Sequence, residues 1–213
     1  MQRFGLQDKK RLNDVWALDL NTLRWFKQNC SGAAPRPRDK AAAVFCQGHM
    51  VVFGGHTTGK RLNDLCVLDL TSFTWTSWTS VMGQPSPRES AALCVGHGNM
   101  LFLHGGASNF GLDDLWVYDQ KLQAWIEVAA EGARPPARRG HSLYMHNGRL
   151  HLFGGIDELG APSTAMFRVA VEYGLNLSTV RLRWEELVSE RIFNPNRYAL
   201  RMWAVPAIPH HGV

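Results

Sequence analysis

The chain of 213 residues has no basic run longer than the triplet Lys9-Lys10-Arg11, although 23 basic against 18 acidic residues leave a net charge of +5. Charge this dilute argues against a dedicated nucleic-acid arm or a polybasic membrane anchor. No stretch approaches the roughly 18 consecutive apolar residues of a membrane-spanning helix, and the opening segment lacks the apolar centre of a secretory leader. Cysteine is scarce: Cys30, Cys46, Cys66 and Cys94 form no Cys-x-x-Cys pair, and three of them lie in apolar stretches such as Val44-Phe45-Cys46. Reduced, buried thiols are therefore expected rather than a disulfide framework or a zinc site, and the default compartment is the cytoplasm, with the nucleus as the alternative. There is also no Gly-x-Ser-x-Gly, no Walker loop and no dinucleotide fingerprint, so the residues point to no cofactor and no catalytic set.

What is abundant is tryptophan, with eight in the chain, and half of them keep time. Trp25, Trp75 and Trp125 are 50 residues apart, and Trp184 follows after 59. Leu12, Leu62 and Leu112 keep the same beat, as do Asp14, Asp64 and Asp114, then Asp19, Asp69 and Asp119. Each unit also carries a glycine pair after an apolar run: Gly54-Gly55, Gly105-Gly106 and Gly154-Gly155. The second pair arrives one residue late, which calls for a β-bulge or a loop adjustment. Arg38, Arg88, Arg138 and Arg197 each lie 13 residues beyond a periodic tryptophan, so the extra length of the last full unit falls before Trp184. A fixed period of this size marks a repeat architecture.

Within one unit, Ala41 to Cys46 and His49 to Phe53 are strand-length apolar runs around Gln47-Gly48, which reads as a β-hairpin. The matching His146-Asn147-Gly148-Arg149 holds the Asn-Gly pair that a type I′ turn favours. A third run, Asp64 to Asp69, leads through a polar turn into Phe73 to Trp78, which alternates as a half-exposed outer strand does. Four short antiparallel strands per repeat is the plan of a β-propeller blade, with the small residues Ala41-Ala42-Ala43 and Ser90-Ala91-Ala92 where blades converge on a central channel. A β-sandwich would account for the strands but not for the period.

These residues resemble the kelch repeat. The likeness rests on Gly-Gly after an apolar strand, the aspartate-bounded Asn63-Asp64-Leu65-Cys66-Val67-Leu68-Asp69, the tryptophan beyond it, and Pro87-Arg88 or Ala137-Arg138-Arg139-Gly140-His141-Ser142 opening the next unit. It implies an all-β fold, a kelch propeller of about three and a half four-stranded blades. The units run over 1–30 (second half of a blade), 31–80, 81–130, 131–190 (with an insertion around 172–179) and 191–213 (a further start and tail). The last full unit departs from the pattern, with Ala165 and Ala170 at the aspartate positions. Kelch rings commonly have six blades. The shortfall leaves three expectations: a partial chain of a longer propeller, completion by another chain or a second copy, or a four-blade ring closed by residues 197–205.

The periodic residues read as framework: Trp25, Trp75, Trp125 and Trp184 plugging the seams between blades, Asp19, Asp69 and Asp119 capping turns, and Arg38, Arg88, Arg138 and Arg197 donating hydrogen bonds. His141, His146 and His151 are five apart, which suits neither face of a strand, so no metal site is expected. Function then falls to loops at the channel mouths. The resemblance implies a non-catalytic protein-interaction module, as a substrate-recognition subunit of a ubiquitin ligase or a scaffold of cytoskeleton, traffic or cilia. It also implies candidate partner contacts just after the arginine (Lys40, Ser90, Arg139) and just after the glycine pair (His56, Asn109, Asp157). Lys40, Arg138 and Arg139 favour an acidic or C-terminal peptide. The alternative is a fragment of a kelch-fold enzyme, such as a sugar oxidase or sialic-acid isomerase, whose catalytic residues would come from other blades.

Overall fold

The computed structural model describes residues 6–7, 10–172 and 181–187. Arg197, residues 197–205 and most of the 172–179 insertion lie outside the described residues. Strands dominate, and they gather into separate small sheets that follow the repeat. A leading half-blade pairs Val15–Asp19 with Arg24–Gln28. The first complete blade runs Ala42–Cys46, His49–Thr57, Lys60–Asp69 and Thr74–Trp78, each antiparallel to the next. The second runs Ala92–Val95, Leu101–Ala107, Gly111–Asp119 and Ala124–Glu127. The third runs Ser142–His146, Arg149–Phe153, Met166–Glu172 and Arg181–Leu187.

Turn chemistry explains where strands reverse. Gln47-Gly48 and Asn147-Gly148 both take left-handed backbone, the geometry of a type I′ hairpin. In the second blade the extra residue is absorbed here, in a single 3-10 turn at His97–Asn99, so the late glycine pair reflects a longer loop and not a bulge peculiar to that blade. Asp19, Asp69 and Asp119 each accept two backbone N–H bonds from the turn that follows, at 2.7–3.2 Å. Those bonds hold the carboxyls of Asp19 and Asp69 below the ordinary range. In the third blade the outer hairpin continues three pairs beyond Val169↔Trp184, to Glu172↔Arg181, as the insertion foretold.

The connection between blades also covers an edge. Ser31–Gly32 runs parallel to the outer strand of the first blade, and Ala130–Gly132 does the same for the third. At the second blade Ser80 Oγ and the Met82 carbonyl both accept from the Trp125 N–H. An outer strand with its hydrogen-bonding groups occupied in this way is a poor template for aggregation.

The core lies in the seams. Trp75, Trp125 and Trp184 are 2%, 2% and 3% exposed, and each packs toward the preceding blade: Trp75 in a cluster with Val15, Trp125 edge-on to Phe53 at 5.4 Å, Trp184 against His104 at 5.8 Å. Trp25 departs from the seam-plug expectation. It is 48% exposed, because the half-blade that carries it has no blade before it among the described residues.

Candidate functional site

One arginine per blade locks strand to loop. Arg38 forks onto Asp64 at 2.7 and 2.8 Å and donates to the Gly54 carbonyl at 2.9 Å. Arg88 repeats the pattern on Asp114 at 2.6 and 2.7 Å and on Gly105 at 3.1 Å. Burial alone would raise these two carboxyls, but the arginine hydrogen bonds and charge outweigh it and hold both below the ordinary value. Arg138 keeps the carbonyl bond to Gly154, at 2.9 Å, but Ala165 stands where the carboxylate was. Its guanidinium lies near Ser163 Oγ and 5.0 Å from the centre of the Phe167 ring. The glycine pair brings its carbonyl into reach because both residues take positive φ. A Cβ on Gly54 would come within 2.8 Å of the Arg88 carbonyl of the next blade, and one on Gly55 within 2.6 Å of the Asp39 carbonyl.

This lock fixes the channel mouth. Just past each arginine the chain turns through left-handed backbone, at Lys40, Ser90 and Gly140. There the blades join in a chain of backbone bonds, with the Ser90 N–H donating to the Lys40 carbonyl and the Gly140 N–H to the Ser90 carbonyl, both at 2.8 Å. The equivalents of Lys40 and Ser90 are thus completed by Gly140. Arg139 belongs with Asp39 and Glu89, which bridge His56 and Ala107 as Arg139 pairs with Ile156.

That register exposes a charge ladder. Arg11 meets Asp39 of the following blade at 3.0 Å, with His56 Nδ1 at 2.8 Å from the same guanidinium. Fifty residues on, Glu89 draws Lys40 to 3.1 Å and Arg61 to 4.0 Å. At the next rung both partners change: Gly111 stands in the arginine's place and Arg139 in the acid's. The Glu158 side chain lies where a side chain at Gly111 would go, within 2.8 Å of its Cβ position, and beside it a cleft of about 580 Å³ opens at the seam of the second and third blades, lined by Lys40, Arg61, Glu89, Asn109, Phe110, Arg139 and Glu158. Among the described residues Arg139 makes no ion pair. Phe110 and Leu159, at the tips of the two flanking loops, are 67% and 94% exposed.

Of the six candidate contacts the cleft gathers Lys40, Asn109 and Arg139. His56 belongs to the preceding seam, Ser90 to the channel ring, and Asp157 caps its own loop by accepting from the Ala161 N–H at 2.8 Å. Arg61, Glu89, Phe110 and Glu158 went unnoticed in the sequence, although the repeated Lys-Arg-Leu-Asn-Asp at 10–14 and 60–64, broken at Gly111, carried the signal. His141 meets His104 rather than His146 or His151. Among the described residues no group of three or more His, Cys, Asp or Glu is placed to hold a metal ion.

The KLHDC2/KLHL20/DRC7 Kelch-repeats domain matches residues 4–155. The chain belongs to the kelch-repeat family. It is 69% identical over 194 residues to dynein regulatory complex subunit 7 of Chlamydomonas reinhardtii, which covers 90% of this kelch chain and 17% of that protein. Shorter likenesses are 47% over 55 residues to acyl-CoA-binding domain-containing protein 5 of Arabidopsis thaliana and 44% over 52 residues to host cell factor 1 of Homo sapiens. Each covers 24% of this chain, and 8% and 3% of those proteins. The kelch chain therefore spans less than a fifth of each relative. No helix among its described residues is long and apolar enough to cross a membrane.

Proposed function

We infer that this kelch chain is a non-catalytic recognition module that holds an acidic segment of a protein partner across the cleft between the second and third blades. The observation that carries the reading is the break in the charge ladder. Arg11 and Arg61 answer an acid supplied by the next blade, whereas Arg139 stands in the acid's place, lines the cleft and makes no ion pair among the described residues. A carboxylate from outside would complete the rung in the way Asp39 and Glu89 complete theirs, as a charge-assisted pair. Phe110 and Leu159 flank it with exposed apolar surface of the kind that anchors interfaces. Both a side-chain carboxylate and a peptide C-terminus fit this chemistry. The likeness to a dynein regulatory complex subunit favours a scaffold role in an assembly of that kind, in the cytoplasmic compartment, over a ubiquitin-ligase substrate receptor. Pull-down with the wild type, Arg139→Glu and Lys40→Glu tests the reading. Loss of the captured partners in Arg139→Glu is expected, and an unchanged set overturns it.

A further inference from the structure

The third rung of the charge ladder is reversed as well as open. In the first two rungs a base on the hairpin strand, Arg11 or Arg61, faces an acid of the following blade, Asp39 or Glu89. In the third, Arg139 stands at the acid's position, and the Glu158 side chain lies over Gly111, its Cγ 2.8 Å and its Oε1 3.1 Å from where a Cβ on that glycine would be. The glycine that takes the arginine away therefore makes room for a carboxylate. Among the described residues neither Arg139 nor Glu158 makes an ion pair, with each other or with any other side chain. The backbone beneath both is fixed. Arg139 is tied by strand pairing to Ile156, and Arg138 beside it to Asp157. Glu158 sits in a tight turn closed by Asp157, whose N–H donates to the Ala161 carbonyl at 3.0 Å and whose carboxylate accepts from the Ala161 N–H at 2.8 Å. On the facing loop the Ser108 N–H donates to the Phe110 carbonyl at 2.9 Å. Two opposite charges set on rigid turns and left unanswered in one cleft make a preorganised two-point site.

Five charged side chains line the cleft, Lys40, Arg61 and Arg139 against Glu89 and Glu158. Glu89 is already met by Lys40 at 3.1 Å and, more distantly, by Arg61. Neither Asp113 nor Asp157 is part of the lining, and the Asp157 carboxylate is turned onto its own loop. The charges still to be answered are therefore one cation and one anion. Building on the acid-binding reading of this cleft, we propose that it takes a partner segment in which an acidic and a basic side chain flank an apolar one. The carboxylate pairs with Arg139, the base pairs with Glu158, and the apolar side chain lies between Phe110 and Leu159, which are 67% and 94% exposed on the two flanking loops. Charge decides among the occupants. A wholly acidic tract or a nucleic acid would set negative charge beside Glu158, and a basic tract would meet Arg139, Arg61 and Lys40. The mixed segment answers both open charges and opposes neither.

Fluorescence anisotropy on the full chain tests it with three labelled, end-blocked peptides of equal length: one repeating Glu-Leu-Lys, one with glutamate at both charged positions, and one with lysine at both. The mixed peptide is expected to bind about threefold or more tighter than either single-sign peptide, the scale of an exposed ion pair gained in place of a like-charge contact. Glu158→Gln, an exposed turn position, should bring the mixed and glutamate peptides within about 1.5-fold of each other, and Glu158→Lys should reverse their order. Arg139→Gln should weaken both about threefold or more. If the glutamate peptide binds the wild type as tightly as the mixed one, or if Glu158→Gln leaves the preference intact, the pairing of a base with Glu158 is overturned. The acid-binding reading survives that result as long as Arg139→Gln still weakens the glutamate peptide. Tightest binding of the lysine peptide, or binding of none of the three, overturns both.

Discussion

Arg38, Arg88 and Arg138 hold one position in three successive blades, but among the described residues only the first two find a carboxylate, and the consequences of removing them should differ accordingly. Replacing Arg88 by methionine keeps much of the buried stem and strands Asp114, whose side chain is only 20% exposed, without its partner. Leaving a charge buried and unpaired costs on the order of 3 kcal/mol. Arg138 is buried too, and burial pulls its guanidinium below the ordinary value, with the charges of Glu186 and Asp157 opposing. No carboxylate is stranded when it goes, and Phe167 is already alongside. Arg138→Met should therefore fall within about 1 kcal/mol of the wild type, since an apolar replacement for a buried charge is often neutral. Urea unfolding of the two variants decides this. Equal losses would mean that the carbonyl bond to the glycine pair, common to both, is what matters.

At the scale of elements, the second and third blades meet differently from the first and second. Phe53 and Ala91 occupy one seam, and their equivalents in the next are His104 and His141, with ring nitrogens 3.0 Å apart and the rings edge to face. Both are buried, and among the described residues His104 Nε2 and His141 Nδ1 have no hydrogen-bond partner. Burial, followed for His104 by the nearby charge of Arg138 with Asp114 opposing, holds the pair well below the ordinary histidine range, so both rings are neutral in the fold. The unfolded chain takes up protons below about pH 6.5 and the folded pair does not, so stability is complete above that pH and is lost as the pH falls. The slope approaches about 1.4 kcal/mol per pH unit for each histidine. The double variant His104→Phe, His141→Ala recreates the preceding seam and should flatten the thermal midpoint between pH 6.5 and 5. A variant that stays as acid-sensitive as the wild type would place the protons elsewhere. This pair also shows what the sequence conceals. The two histidines are 37 residues apart, off the 50-residue beat, and each alone is a single departure from Phe or Ala.

For the whole molecule, the period carries strand order, hairpin turns and the buried tryptophans because identical landmarks force identical local geometry. It carries the site only in part, because the rungs of the charge ladder join one blade to the next, Arg61 to Glu89, and a one-residue offset put Arg139 beside Lys40 when it belongs with Asp39. The ends of the arc follow from the same repetition. Three tryptophans sit at 2–3% exposure on a preceding blade, while Trp25 sits at 48%, so one residue type in one motif does two different jobs. Trp75→Ala or Trp125→Ala removes a filled seam and should cost about 3–5 kcal/mol, the usual toll of a large ring deleted from a core. Trp25→Ala in the same 213-residue chain vacates a half-solvated position and should cost less than about 1 kcal/mol. Measured by urea unfolding, a loss at Trp25 as large as that at Trp75 would show that something covers the half-blade in solution. Size-exclusion chromatography with light scattering on the same samples would then tell a second copy from the chain's own remaining residues.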